Sequence, residues 1–144
     1  MKNRAATIRD FRLIKADLAH RMAAEYRQAG WEPTKALETF KPRIKEGNAD
    51  AITTDEGEAI AIIAFFVDDG AIHTSFAARE EFFGWQGFRE VWRHIRTIQA
   101  RLGNLPVRSN SYPQDPRTED WFRKLGFRVV ERAPNNIVFE LDPR

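Results

Sequence analysis

Residues 59–67, Ala-Ile-Ala-Ile-Ile-Ala-Phe-Phe-Val, are the feature that most restricts the fold. The run is apolar throughout, whereas a strand with one wet face alternates apolar and polar residues. Asp55-Glu56-Gly57 precedes it and Asp68-Asp69-Gly70 follows it, both turn sequences of the hairpin kind. The spacing therefore predicts a central strand covered on both faces and flanked by two partners at residues 49–54 and 71–77. In the last of these, His73, Ser75 and Ala77 share one face, and Ile72, Thr74 and Phe76 share the other. At nine residues the run is too short to span a bilayer, so no membrane partner is expected.

Covering such a sheet requires helices, and the chain supplies their patterns. Residues 7–14 alternate imperfectly and read as a first strand. Residues 16–29 read as a helix with Leu18, Met22, Tyr26 and Ala29 on one face and Gly30 as its stop. Thr34 is placed to cap a second helix over residues 35–45, which Pro42 kinks or shortens. The clearest helix is at residues 88–102, where Phe88, Val91, Trp92, Ile95, Ile98 and Leu102 recur at three/four spacing before Gly103. Arg89, Arg93, Arg96 and Arg101 lie off that stripe, either as a phosphate-binding row or as a solvated face. Residues 107–110 form a fifth strand. Asp115 then caps a short helix with Pro116 in its first turn; Trp121, Phe122 and Leu125 line it and Gly126 ends it. Residues 127–131 and 137–141 close the chain as a hairpin.

Composition removes several function classes. With 144 residues and no linker or repeat, one domain is expected. The 23 basic and 21 acidic residues nearly balance, so no nucleic-acid partner is expected. No Cys occurs, which excludes disulfides and thiolate chemistry and fits a reducing compartment. The first residues lack the apolar stretch of a signal peptide, so a soluble, cytoplasmic protein is expected. His20, His73 and His94 are scattered without metal-ligand spacing, and no metal is expected.

The segment from Asp115 to Phe127 resembles the last helix of the GCN5-related N-acetyltransferases, the GNAT superfamily, whose form is Asn-Pro-x-Ala-x-x-x-Tyr-x-x-x-Gly-Phe. Asp115 stands where that family has Asn, and Phe122 where it has Tyr. The order of strands and helices over the whole chain is similar as well. The resemblance implies an α/β GNAT fold: a mixed, twisted sheet of about seven strands with about four helices on both faces. It also implies acetyl-CoA as the cofactor and a small-molecule or protein amine as the acceptor. The region from Asp17-Leu18 to Trp31-Glu32-Pro33 is further similar to small members encoded by tailed bacteriophages, some of which are thought to be virion components.

The family binds the cofactor pyrophosphate on a loop of the form Arg/Gln-x-x-Gly-x-Gly/Ala before the long helix, using backbone amides at a helix N-terminus. Phe83-Gly84-Trp85-Gln86-Gly87-Phe88 falls there. Gly84 fits, while Gln86 and Phe88 bring bulk and Phe83 replaces the Arg. The resemblance thus assigns Gly84, Trp85, Gln86, Gly87, Phe88 and Asp115 to the cofactor. The acceptor amine must lose a proton before it attacks, and His73 is the candidate base, with Glu80 and Glu81 acting through water as the alternative. Tyr112 is the candidate acid for the leaving thiolate.

Phe82, Phe83 and Trp85 crowd one short connection, either anchoring it in the core or binding a partner protein or a second copy of the chain. Two functions therefore stand open: an acyl-CoA-dependent N-acyltransferase with a degenerate phosphate loop, and a non-catalytic protein of a bacteriophage that keeps the scaffold for binding.

Overall fold

The computed structural model describes residues 1–112 and 116–144. A seven-stranded sheet in the order β1-β2-β3-β4-β5-β7-β6 organises them. Its strands are β1 Lys2–Ala5, β2 Ala49–Thr53, β3 Ala59–Asp68, β4 Ala71–Ala78, β5 Val107–Ser111, β6 Arg128–Ala133 and β7 Asn136–Leu141. Every neighbouring pair is antiparallel except β4 and β5, which run parallel. The helices are α1 Ile8–Ala16, α2 His20–Gln28, α3 Pro33–Glu38, α4 Phe40–Lys45, α5 Trp85–Arg101 and α6 Arg117–Lys124, with one 3-10 turn at Glu80–Phe82.

The apolar run is the shared wall of two cores. Ile60, Ile63 and Phe65 of β3 pack with Val91, Ile95 and Ile98 of α5 on one face. Ile62 and Ala64 pack with Phe11, Ile14, Leu37, Phe40 and Ile44 from α1, α3 and α4 on the other. The β3–β4 turn is tight, with positive φ at both Asp69 (50°) and Gly70 (72°), which Asp-Gly sequences adopt at least cost. The mixed, seven-stranded α/β architecture expected from the chain is what forms.

Three local expectations are corrected. Residues 7–14 are not the first strand; the wholly exposed β1 takes that place. Thr7 and Asp10 instead make a reciprocal cap, the Thr7 hydroxyl accepting from the Asp10 amide and the Asp10 carboxylate from the Thr7 amide. That cap starts α1, whose buried Phe11 and Ile14 lie at helical spacing. The helix expected over residues 16–29 is broken at residues 17–19, where the Ala19 amide turns away to donate to the Ala78 carbonyl (2.9 Å). The helix expected over residues 35–45 is two short ones, and its cap is Glu32, whose carboxylate accepts from the amides of Thr34 and Lys35.

Two contacts fix α5 against the rest. At its start, Gly87 is buried under the Phe82 main chain, and a Cβ there would stand 1.9 Å from the Phe82 carbonyl oxygen. Further along, the buried His94 and Asp50 of β2 are joined at 2.8 Å, and Arg101 reaches the same carboxylate at 2.8 Å. Burial opposes ionisation of Asp50, but the hydrogen bonds from His94 and Arg101 outweigh it and hold the carboxyl below its usual range.

Two outcomes follow for stability. Gly87→Ala forces the Phe82 main chain to move and costs about 1–3 kcal/mol. Gly84→Ala, at an extended residue with open space around it, costs under about 1 kcal/mol; equal melting curves for the two variants would contradict the close approach. Asp50 has a depressed folded pKa, so its contribution is complete above the unfolded carboxylate value of about 3.9 and fades as pH falls through the lower folded one. Asp50→Asn therefore loses about 3 kcal/mol at neutral pH and a shrinking amount in acid, read by urea unfolding at the two pH values.

Candidate functional site between β4 and β5

The two parallel strands pair over only three residues: Ile72 with Val107, His73 with Arg108, and Thr74 with Ser109. Both continue beyond that point, β4 to Ala78 and β5 to Ser111, so they splay and open a gap. Along β4 every second residue aims its backbone towards β5, as the Ile72 amide does in donating to the Pro106 carbonyl at 2.8 Å. By the same alternation Phe76 and Ala78 aim theirs into the gap.

Helix α2 bridges that gap. The Tyr26 hydroxyl donates to the Phe76 carbonyl at 3.0 Å, and the Ala19 amide just before the helix takes the Ala78 carbonyl. On the other arm, the Glu25 carboxylate accepts from the Ser111 hydroxyl at 2.6 Å and from the Tyr112 amide at 2.8 Å. Both bonds use the same carboxylate oxygen, Oε1. Burial, and then the adjacent Glu25 carboxylate, push the Tyr26 phenol well above its ordinary pKa, so it stays protonated and able to donate. Neither Glu25 nor Tyr26 was a sequence candidate for the site. Their adjacency is the only linear signal, and Tyr26 reads simply as part of an apolar helix face.

At the head of the gap lies the start of α5. Gly84, extended at φ −168°, precedes the first turn, and no side chain caps it. The amides of Trp85, Gln86 and Gly87 there can meet an anion. Gly87 owes its missing side chain to the Phe82 carbonyl, whereas Gly84 faces open space. Phe88 is half-buried, stacked on Trp85 (5.6 Å) and edge-on to Trp121 (6.4 Å), and it packs sideways along the helices. Asp115, the expected cap of α6, lies outside the described residues. Phe122, at the family's Tyr position, stacks on Phe139 at 4.1 Å as a core side chain.

The other candidates are dispersed. His73 lies within the paired section of β4, its ring stacked on Phe66 (5.1 Å) and its Nε2 3.3 Å from the Asp68 carbonyl. Tyr112 is at the opposite arm beside Glu25, and no contact joins it to His73 among the described residues. Glu80 pairs with Arg21, and Glu81 with Arg79, whose guanidinium also holds Asp17 and Glu58. The partner patch is corrected in one member: Phe82 is 1% exposed and belongs to the core, because the 3-10 turn folds it beneath α5. Phe83 lies under the Arg21 guanidinium (4.1 Å), and Trp85 is 70% exposed. Among the described residues no three metal-binding side chains come together, and no helix is long and apolar enough to cross a membrane.

No family model and no curated protein matches the chain. Solved structures do. The PaiA N-acetyltransferase of Thermoplasma acidophilum, in complex with coenzyme A, superposes with a TM-score of 0.75 at 13% identity, covering 98% of each chain. A GNAT-superfamily phosphinothricin acetyltransferase of Sinorhizobium meliloti, in complex with acetyl-CoA, gives 0.72 at 14% identity over 99% of this chain and 88% of its own. The GNAT domain of PAT from S. lividans gives 0.72 at 16% over 97% and 89%. With its splayed parallel pair and the long helix that follows, this chain has the GNAT acetyltransferase fold.

Proposed function

We propose that the protein is an acyl-CoA-dependent N-acyltransferase acting on the amine of a small molecule or a protein. One observation carries the reading: a gap between parallel strands with uncapped helix amides at its head and a carboxylate, Glu25, at its mouth. The residues fit the cofactor at its anionic end, where no side chain caps the first amides of α5 and Gly84 leaves open space beside them. Along β4 the fit is conditional, because the Phe76 and Ala78 carbonyls already accept from Tyr26 and Ala19. The Phe76 and Ala78 carbonyls would hold an extended acyl-CoA arm only after Tyr26 and Ala19 release them. When bound, the cofactor supplies an acyl group activated as a thioester.

The chain's own residues do the rest. The Glu25 carboxylate is the base that draws the proton from the acceptor ammonium, held at the end of β5 by the Ser111 hydroxyl and the Tyr112 amide. His73 is the second candidate for that role. Tyr112, held in place by Glu25, donates a proton to the departing thiolate, as does Tyr26 if it is released from Phe76. A thiolate leaves well unaided, so the acid matters less than the base.

A second reading draws support from the same helix. With both gap-facing carbonyls satisfied internally and Phe122 given over to packing, the scaffold is also suited to non-catalytic binding, as in a bacteriophage virion or host-interaction protein. Calorimetric titration with acetyl-CoA separates the two: low-micromolar binding supports the transferase, and none at millimolar concentration supports the scaffold. If transfer is found, Glu25→Gln lowers kcat/KM by about 10²–10⁴-fold, and Tyr112→Phe by less than about 10²-fold. A full loss in His73→Ala with Glu25→Gln unaffected would instead make His73 the base.

A further inference from the structure

The outer face of α5 carries a pattern that acyl transfer does not use. Trp85, Arg89, Trp92 and Arg96 follow one another at four-, three- and four-residue steps, which places them on a single stripe of the helix. Trp85 is 70% and Trp92 51% exposed, large values for the side chains that cost most to leave in water. Trp85 does not hang free. Its ring lies nearly parallel to that of Phe88, at 15° and 5.6 Å, so one face is backed and the other presented.

Past Trp92 the stripe enters a groove of about 620 Å³ between α5 and the end of α6, where Arg93, Arg96, Lys124, Gly126 and Arg144 join it. Many arginines elsewhere are paired: Arg79 has three carboxylates, Arg128 two, and Arg101 and Arg123 one each. Among the described residues Arg89, Arg93, Arg96, Lys124 and Arg144 form no ion pair. Arg96 donates to the Gln99 side chain and the Asp142 carbonyl, which holds it in the groove without neutralising it. Burial, and then the neighbouring Arg144, lower its pKa, with Asp142 opposing. Arg144 is itself fixed, its amide and carbonyl both clasped by the Asn104 side chain. Two like charges are thus held near one another, with Asp142 only partly offsetting them.

From this juxtaposition of exposed indoles and unpaired cations, we infer that the α5 stripe and its groove bind single-stranded nucleic acid. Bases stack on Trp85 and Trp92, and the five cations meet the phosphates. The two indoles are seven residues apart, about 10 Å along the helix, which is roughly three stacked bases at ~3.4 Å each. An acidic peptide would satisfy the cations and leave the indoles unused. A duplex would hide its base faces. Trp92 and the groove lie outside the β4–β5 gap, Trp85 alone stands at its head, and the inference does not rest on acyl transfer.

The test is fluorescence anisotropy of a labelled oligothymidylate of about 12 nucleotides, titrated with the whole protein at about 50 mM salt. Micromolar binding is expected, with tryptophan quenching and a log–log salt slope of about −2 to −3.5 for three to five phosphates. Trp92→Ala weakens binding at least about fivefold, while Trp92→Phe retains most of it. Arg93→Glu combined with Lys124→Glu flattens the salt slope by about 1.4. Because Trp92 is half exposed, these variants keep the parent melting temperature, and a Trp85→Ala variant repeats the measurement should Trp92→Ala unfold. No binding at about 100 µM protein, tighter binding of the matching duplex, or equal binding of polyglutamate with no effect of either indole variant overturns the proposal.

Discussion

The short parallel ladder between β4 and β5 is the constraint on which the rest of the molecule depends. Three paired residues suffice to register α5 and β5 against the sheet, and the ladder then stops while both strands run on. A parallel pair can be made only with a long crossover, and α5 supplies it, which places the start of that helix at the end of β4. The gap, the free helix amides at its head and the need for something to satisfy two gap-facing carbonyls all descend from that one termination. Helix α2 meets the need with a phenol and a main-chain amide.

How much of this was legible depended on whether a segment's neighbours in space were also its neighbours in sequence. The β3 run announced itself because its unbroken apolar pattern fits a strand buried on both faces, and its turns are coded by Asp-Glu-Gly and Asp-Asp-Gly. Gly126 ended α6 as expected, with φ at 98°. Residues 7–14 misled because Phe11 and Ile14 satisfy a helix as readily as a ragged strand, and the Thr7–Asp10 cap that decides the matter is also a common turn pair. The break before α2 was invisible, since its cause, the Ala78 carbonyl, lies about sixty residues away in the sequence. The site suffered most for the same reason. Glu25 acquires meaning only once β5 is laid beside it, and Gly87 looked like a phosphate-loop glycine until the Phe82 carbonyl was seen to fill its place.

Charge shows how a whole-chain average hides a local one. A net +2 over 144 residues says little about partners, and most of the arginines are spent on carboxylates across strand and helix faces. On the outer face of α5, Arg89, Arg93 and Arg96 form no ion pair among the described residues, and Glu90, the one acidic residue of that helix, accepts from Asn3. Counting charges per face gives a different expectation from counting them per chain.

Glu25 and Tyr26 are consecutive residues, yet one holds the end of β5 and the other the edge of β4. A rotation of α2 that frees either arm must also disturb the other, because a single backbone segment carries both anchors. The width of the gap and the vacancy of its edge are therefore one mechanical coordinate and not two. Any widening of the gap does work against both anchors at once, and by reciprocity whatever stiffens α2, even from its far side, resists that widening.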